Sequence, residues 1–320
     1  GAYAVAVGRN SGSSTQSINA VAIGNAAGNS SQGASAVAVG ENAGSDTQSL
    51  ESIAIGKNAA AGATTTATYV SGGVASTVMV VDDTTGIVVG MRVTSTGTGF
   101  TFTTLEQQQR VLSVDNATTV TLSAVANNGT PSGTITFSAA QDYYAVAIGS
   151  SAGLTSQGPG SVAIGYLAGK VNQEAGIAIG SRAGEVQQDG GAVAVGVDAG
   201  RNNQGTHGVA IGKFAGGDDQ GMEAIAIGYF AGDTGQGVDS IAIGKEAGKT
   251  NQAARSIILN ATDSPLNTSQ TDSLIIKPIR SATMTTILGY DAGTGEVMHN
   301  TATPLITGDL AVEENYAQTP

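Results

Sequence analysis

The 320-residue chain contains no cysteine and no tryptophan, and only 4% of its residues are aromatic. Without cysteine, disulfide bridges and thiolate metal sites are excluded, and so is a small secreted fold held together by disulfides. So few aromatic side chains beside 47 glycines argue against one large globular core.

Basic residues are also scarce, with 13 Lys and Arg against 25 Asp and Glu and a formal net charge of -12. This excess of negative charge disfavours binding to nucleic acid and to anionic lipid. No apolar run approaches the length of a membrane span, so we expect no membrane insertion. The sequence starts inside a repeat and without methionine, and we expect it to be a fragment or a processed product.

One short repeat fills most of the chain, for example in residues 145–153 (AVAIGSSAG). We call the first glycine of this motif the marker glycine and each repeat a coil. A fixed period predicts a β-solenoid, in which each coil buries its apolar surface against its neighbours. The markers are sixteen residues apart, with one step of fifteen and one long gap: Gly8, Gly24, Gly40, Gly56, Gly149, Gly165, Gly180, Gly196, Gly212, Gly228 and Gly244.

Val or Ile stands one and three positions before each marker, with Ala between them. Residues two apart share one face of a strand, so the Ala points to the opposite face. Two explanations of its small size remain open: a second packed surface, either another layer of the coil or a neighbouring chain, or a narrow roll whose own turns crowd that face. The Ala column comprises Ala6, Ala22, Ala38, Ala54, Ala147, Ala163, Ala178, Ala194, Ala210, Ala226 and Ala242.

After the marker, most coils read x-x-Ala-Gly, which predicts a tight turn. A glutamine follows eight residues after the marker. Stacked coils place these amides about 4.8 Å apart, which favours a hydrogen-bonded ladder with a structural role. The ladder residues are Gln16, Gln32, Gln48, Gln141, Gln157, Gln173, Gln188, Gln204, Gln220, Gln236 and Gln252.

The long gap between Gly56 and Gly149 indicates an insertion within one coil. Gln141 lies eight residues before Gly149, as Gln16 lies eight before Gly24, so the interrupted coil returns at Gln141. About 77 residues are therefore extra, which a solenoid turn tolerates because the two ends stay close together.

The predicted domains follow from this register. They are the first part of the roll (1–60), an inserted module (62–139), the continued roll ending in a degenerate cap coil (141–260), a C-terminal β-hairpin region (261–300) and a tail or linker (301–320).

The insert loses the period and becomes rich in Thr and Val. Alternating apolar residues predict strands at 77–81, 110–114, 119–122 and 134–137, and we expect a small antiparallel β-sandwich or barrel. Residues 85–93 (TGIVVGMRV) and 119–123 (TVTLS) resemble small β modules of phage tail proteins.

The last coil departs from the repeat. Residues 256–260 (SIILN) replace the Ala by Ile and the marker by Asn, as expected for a terminal unit that no longer stacks on a copy of itself. Beyond this cap, residues 287–290 and 296–298 predict a hairpin that turns through 291–295.

The motif in residues 161–169 (SVAIGYLAG), with its eleven copies, resembles the YadA-like head repeat of trimeric autotransporter adhesins. The resemblance implies a left-handed parallel β-roll assembled as a parallel homotrimer, with the Ala column as a close-packed position. Residues 288–297 (LGYDAGTGEV) are similar to segments that follow such repeats in phage tail fibres and in surface proteins of large viruses, where a self-cleaving chaperone domain often follows.

No catalytic constellation is visible, because His207 and His299 lack a nucleophile partner that the sequence can name. We expect no enzyme activity, cofactor or metal, since Asp218 and Asp219 lack the spacing of calcium loops.

Exposed aromatic side chains are the candidates for ligand binding, because they stack on sugar faces, although they could equally cover the rim of the roll or the trimer seam. They are Tyr166, Phe214, Tyr229 and Phe230 after the markers, and Tyr69, Phe100 and Phe102 in the insert, where burial in a strand core is the alternative.

Two functions fit these features. The first is a structural trimeric fibre that projects from a virion, as a phage tail fibre or viral surface fibre, and recognises a glycan or protein receptor on the host surface. The alternative is the head of a bacterial trimeric surface adhesin that binds host or matrix ligands. The expected partners are two further copies of the chain, the receptor and other fibre proteins at the termini, at the virion or the extracellular surface.

Overall fold

A computed structural model describes residues 1–62, 64–72, 78–85, 87, 91–95, 111–122, 134–138, 141–279, 287–290, 294 and 297–300. All regular elements among these residues are β-strands, and none of these residues forms a helix that could cross a membrane. The chain divides into two compact units, Gly1–Pro278 and Ile279–Pro320.

The repeat builds one long parallel sheet of thirteen strands, which we call the long sheet. Its strands pair in register, so that Val146 lies beside Val162 and Ala147 beside Ala163. Equivalent residues of successive coils therefore lie side by side and form columns that run across the strands. The strands are Val5–Val7, Val21–Ile23, Val37–Val39, Ile53–Ile55, Val146–Ile148, Val162–Ile164, Ile177–Ile179, Val193–Val195, Val209–Ile211, Ile225–Ile227, Ile241–Ile243, Ile257–Asn260 and Leu274–Lys277.

A second strand in most coils ends at the glutamine. These strands also pair in parallel, in a three-stranded and a six-stranded sheet. The three-stranded sheet contains Thr15–Gln16, Ser31–Gln32 and Thr47–Gln48, and the six-stranded sheet contains Thr155–Gln157, Val171–Gln173, Val186–Gln188, Asn202–Gln204, Asp218–Gln220 and Thr234–Gln236.

The two glycines found in most coils are required by close contacts. Gly165 has a φ of +136°, and a Cβ atom on it would lie 2.4 Å from the backbone oxygen of Gly180 in the next coil. Gly169 has a φ of +50°, and its Cβ would lie 2.4 Å from Oε1 of Gln173. Both positions therefore combine a backbone conformation suited to glycine with no room for a side chain.

The Ala column packs inside the chain's own roll. Apart from Ala6 in the first coil, which is exposed, its members are fully buried together with the Ala residues of the turns, such as Ala152. The roll is so narrow that a Cβ on Gly153 would lie 3.3 Å from the Cβ of Ala147. The roll's own turns therefore limit this side chain, and the interpretation of the column as a contact with a neighbouring chain is wrong.

The long sheet continues across the insertion, as the register predicts. Ile53–Ile55 pairs directly with Val146–Ile148. Gln141 donates to the backbone oxygen of Ile53, which lies 88 residues earlier, whereas Gln157 donates to Val146, which lies 11 residues earlier. The difference between 88 and 11 is 77 residues, so the predicted length of the insertion is confirmed.

The insert contains a six-stranded antiparallel sheet with its own core. Met79, Val120, Leu122, Ile135 and Phe137 are buried in this core. Two strands, Thr64–Gly72 and Arg92–Ser95, were not predicted. The former is rich in Thr and the latter is short, so both show little apolar alternation. In sheet order the strands are Arg92–Ser95, Thr134–Ser138, Thr64–Gly72, Val78–Val81, Thr119–Leu122 and Val111–Asn116.

The degenerate coil fills the end of the narrow core, but it does not end the roll. Ile258 and Leu266 are buried in the same cluster as the Ala column. Leu274–Lys277 then pairs in parallel with Ile257–Asn260, and Ile275 packs against the core. The predicted end of the roll at residue 260 is therefore one strand too early.

The second unit contains the antiparallel pair Ile287–Tyr290 and Val297–Asn300, with Tyr290 opposite Val297. The predicted tail, 301–320, lies outside the described residues.

Candidate functional site

The glutamine side chains form a continuous ladder inside the roll. From Gln32 to Gln252, each Nε2 donates to Oε1 of the glutamine in the next coil at 3.0 to 3.3 Å. Gln16 does not join: its Nε2 donates to the backbone oxygens of Val5 and Ala20, and Oε1 of Gln32 has no hydrogen-bond partner within the described structure. Since the ladder residues from Gln32 onward are buried, the ladder fixes the spacing of the coils and offers no group to a ligand.

The Val and Ile side chains of the long sheet point outward and form what we call the outer apolar face. Ile211, Ile227 and Ile243 are 39%, 36% and 40% exposed. The face continues into Leu274 and Ile276 of the last strand, which are also exposed. Thirteen strands at about 4.8 Å make this face about 58 Å long. Contiguous apolar surfaces of this kind mark interaction sites in soluble proteins.

Three predicted ligand-binding residues come together in what we call the aromatic cluster: Phe214, Tyr229 and Phe230. The rings of Phe214 and Phe230 are stacked, with centroids 4.6 Å apart and planes 5° apart. Tyr229 meets Phe230 edge to face at 4.4 Å. The cluster lies on two successive coils, and Tyr229 is exposed.

The backbone at the aromatic cluster is unusual for such side chains. Phe214 and Phe230 have φ angles of 58° and 55°, in the left-handed region that bulky residues rarely adopt. Asn10, Asn42 and Asn58 occupy the same position in other coils, as expected from the tolerance of Asn for this conformation. Every coil adopts this conformation two residues after its marker glycine, also where Leu167 or Arg182 stands. The conformation therefore belongs to the repeat and by itself indicates no role for the two rings.

Charged groups surround the aromatic cluster. Lys213 lies 5.2 Å from the ring centroid of Phe214, and Lys249 lies 4.7 Å from that of Phe230. Asp233, which interacts electrostatically with Lys249, is half-buried, and burial followed by the charge of Asp218 raises its pKa to about 6. The cluster therefore combines flat apolar rings with hydrogen-bond donors and acceptors.

The other predicted ligand-binding residues lie elsewhere. Tyr166 is 57% exposed but belongs to a coil three steps before that of Phe214, about 14 Å along the stack. Tyr69 packs against the core of the insert. Phe100 and Phe102 lie outside the described residues.

The acidic and histidine residues considered in the sequence are engaged in pairs or exposed. Asp218 accepts hydrogen bonds from Nη2 of Arg201 at 3.0 and 3.1 Å, and this hydrogen bond raises the pKa of Arg201. His207 is exposed, with Nδ1 4.0 Å from Glu223. In the part of the chain that the structure describes, no group of three or more His, Asp or Glu residues is placed to hold a metal ion.

No family model, curated protein or solved structure matches this chain.

Proposed function

We propose that this chain is a structural fibre module that forms a parallel homotrimer of left-handed rolls, projects from a virion and binds a glycan on the host surface. The insert, as a small sandwich or barrel, would stand out from this fibre. The observation that carries the proposal is the outer apolar face.

The period of the outer apolar face favours a second copy of the chain as its partner. The same pair of β-branched side chains returns with each of the first eleven strands of the long sheet, as with Ile225 beside Ile241. A parallel copy in register presents the same spacing, so that apolar side chains meet in every coil. A partner without this period would match the face at only a few coils. The resemblance to trimeric head repeats implies three chains.

The aromatic cluster supports the receptor-binding part of the proposal. Stacked rings offer a flat apolar surface, and the neighbouring lysines offer donors to hydroxyl groups. This combination suits a sugar, which has an apolar face and a polar edge. A long stack of coils would hold such a site away from the surface that carries it.

Assembly is tested by placing charges on the outer apolar face. The double variant Ile211→Asp and Ile227→Asp introduces two carboxylates where the proposed trimer is closely packed. The control is Met222→Asp, because Met222 is 49% exposed and lies in a loop outside the long sheet.

Light scattering after size exclusion should give three times the chain mass of 31.4 kDa for the unmodified chain and for the control, and one chain mass for the double variant. A single chain mass for all three proteins would overturn the proposed assembly.

Receptor binding is tested on a glycan array with Phe214→Asn and Phe230→Asn combined. We expect this variant to stay trimeric and to lose array binding, because Asn suits the backbone but cannot stack. Tyr166→Asn, at an aromatic residue outside the cluster, should keep binding. Equal array binding by both variants would exclude the aromatic cluster as the receptor site.

A further inference from the structure

The single fifteen-residue coil leaves a gap in the side of the roll. Three residues, 174–176, connect Gln173 to the next strand, whereas the loops 158–161 and 189–192 of the neighbouring coils have four. Loop 174–176 is thus one residue shorter than the loops stacked on either side of it.

The missing residue interrupts a chain of hydrogen bonds between these loops. In most other coils the loops are tied together, as Gly160 donates to the backbone oxygen of Tyr143 and His207 donates to that of Gly190, both at 3.1 Å. In the described part of the chain, no backbone hydrogen bond joins Ala175 to either neighbouring loop. The short loop therefore leaves polar groups and space between its neighbours.

A cavity of about 320 Å³ occupies this position, and we call it the notch. Its lining includes the polar residues Ser156, Asn172, Glu174, Gln187 and Asp189. Its volume lies at the lower end of the range for small-molecule sites, which is enough for one sugar ring.

Two polar atoms at the notch are buried without a partner. Ser156 is only 4% exposed, and neither its Oγ nor Oδ1 of Asn172 makes a hydrogen bond within the described structure. Buried polar atoms are nearly always paired, and leaving them unpaired is unfavourable. Both residues line the notch, so a ligand that supplied hydroxyl groups would satisfy both atoms once the two side chains turn toward it.

The charge of the notch restricts the class of ligand. Glu174 and Asp189 contribute carboxylates, and no Lys or Arg is among the residues that line it. Burial raises the pKa of Asp189, as expected for a carboxyl group that has lost part of its hydration. An anionic ligand would be repelled. Among the residues that the structure describes, no third His, Asp or Glu joins these two carboxylates in a group placed to hold a metal ion.

We propose that the notch binds a neutral pyranose unit of a glycan. The sugar hydroxyls donate to the carboxylates of Glu174 and Asp189 and pair with Ser156 and Asn172, while Pro159 and Ala175 contact its apolar face. The notch is separate from the aromatic cluster, which lies on later coils, and binding there does not depend on the proposed fibre function.

The test uses saturation-transfer NMR with the methyl glycosides of glucose, galactose and N-acetylglucosamine, and with N-acetylneuraminic acid as the anionic probe. All proteins carry Phe214→Asn and Phe230→Asn, so that the aromatic cluster does not contribute. One variant has a serine inserted between Ala175 and Gly176, which restores a sixteen-residue coil and fills the notch. A second variant, Asp189→Asn, removes one acceptor charge without changing the side-chain shape.

We expect saturation transfer to at least one neutral glycoside and none to N-acetylneuraminic acid. The serine insertion should reduce this transfer at least tenfold with an unchanged circular dichroism spectrum, and Asp189→Asn should weaken it several-fold. The proposal is overturned if no neutral glycoside shows transfer, if the insertion leaves transfer unchanged, or if the anionic sugar binds equally well. A failure of the fibre assembly would leave this result unaffected.

Discussion

Replacing one glutamine of the ladder should strongly destabilise the roll, even when the new side chain has nearly the same volume. We choose Gln204→Met, because methionine fills nearly the same volume and removes only the polar contacts. Gln204 is fully buried, and its Nε2 donates to the backbone oxygens of Val193 at 2.9 Å and Gly208 at 3.1 Å. It also donates to Gln220 at 3.1 Å and accepts from Gln188 at 3.0 Å.

The expected loss follows from these four contacts. A buried hydrogen bond contributes a net ~1 kcal/mol, and a partner left unpaired costs ~1 to 3 kcal/mol. The amide has two hydrogens shared among three acceptors, so we expect a loss of about 3 to 4 kcal/mol in the free energy of unfolding. The matched control, Gln16→Met, removes two contacts of a glutamine outside the ladder and should lose less than about 2 kcal/mol.

Urea denaturation followed by circular dichroism measures the free energy of unfolding, and hydrogen exchange shows where the roll opens. For Gln204→Met, amide protection should fall first in the coils that contain Gln188 and Gln220, because each coil contacts only its neighbours. A loss below about 1 kcal/mol, or one equal to that of the control, would refute the structural role of the ladder.

Two further substitutions test the tight turns and the buried charge. In thermal denaturation, Gly165→Ala should destabilise the chain by roughly 3 kcal/mol, because its Cβ would lie 2.4 Å from a backbone oxygen. The control Gly190→Ala should be nearly neutral, because nothing lies within 4 Å of its Cβ. Because the pKa of Asp233 is raised from 3.8 to about 6, the folded chain binds the proton more tightly than the unfolded chain does. Stability should therefore fall as the pH rises from about 4 through 6, and calorimetry of Asp233→Asn should show a smaller fall; an unchanged pH profile would exclude this carboxyl group as its source.

The repeat made much of the fold predictable from particular residues. Gln141 located the return of the chain from the insert, because the eight-residue spacing to Gly149 survives the interruption. The ladder followed from the same spacing, since stacked coils place identical side chains one strand apart.

The orientation of the long sheet was not predictable in the same way. Alternation assigns Val and Ile to one face and Ala to the other, but it does not say which face is inside. The narrow roll decides this, because Ala147 faces the turn at Gly153. The end of the roll was also missed, since Leu274–Lys277 lies seventeen residues beyond its partner strand and lacks the repeat motif.

The candidate site was only partly predictable. Phe214 and Phe230 occupy the same position in successive coils, and their stacking follows from that. The sequence did not separate Tyr166 from Tyr229, because both directly follow a marker glycine. The notch was visible only as a fifteen-residue step, and its volume and unpaired Ser156 hydroxyl required the packed loops of three coils.

The central claim, a parallel association of the rolls in register, is tested most directly by distances between identical positions in different chains. The chain has no native cysteine, so Asn25→Cys and Lys245→Cys each give a single exposed site for a spin label. These sites lie near opposite ends of the long sheet. For each variant, pulsed electron paramagnetic resonance should show one intermolecular distance that is much shorter than the outer apolar face, which is about 58 Å long. The distances at the two ends should be similar. Absence of an intermolecular distance, or distances that approach the length of the outer apolar face, would contradict the parallel trimer.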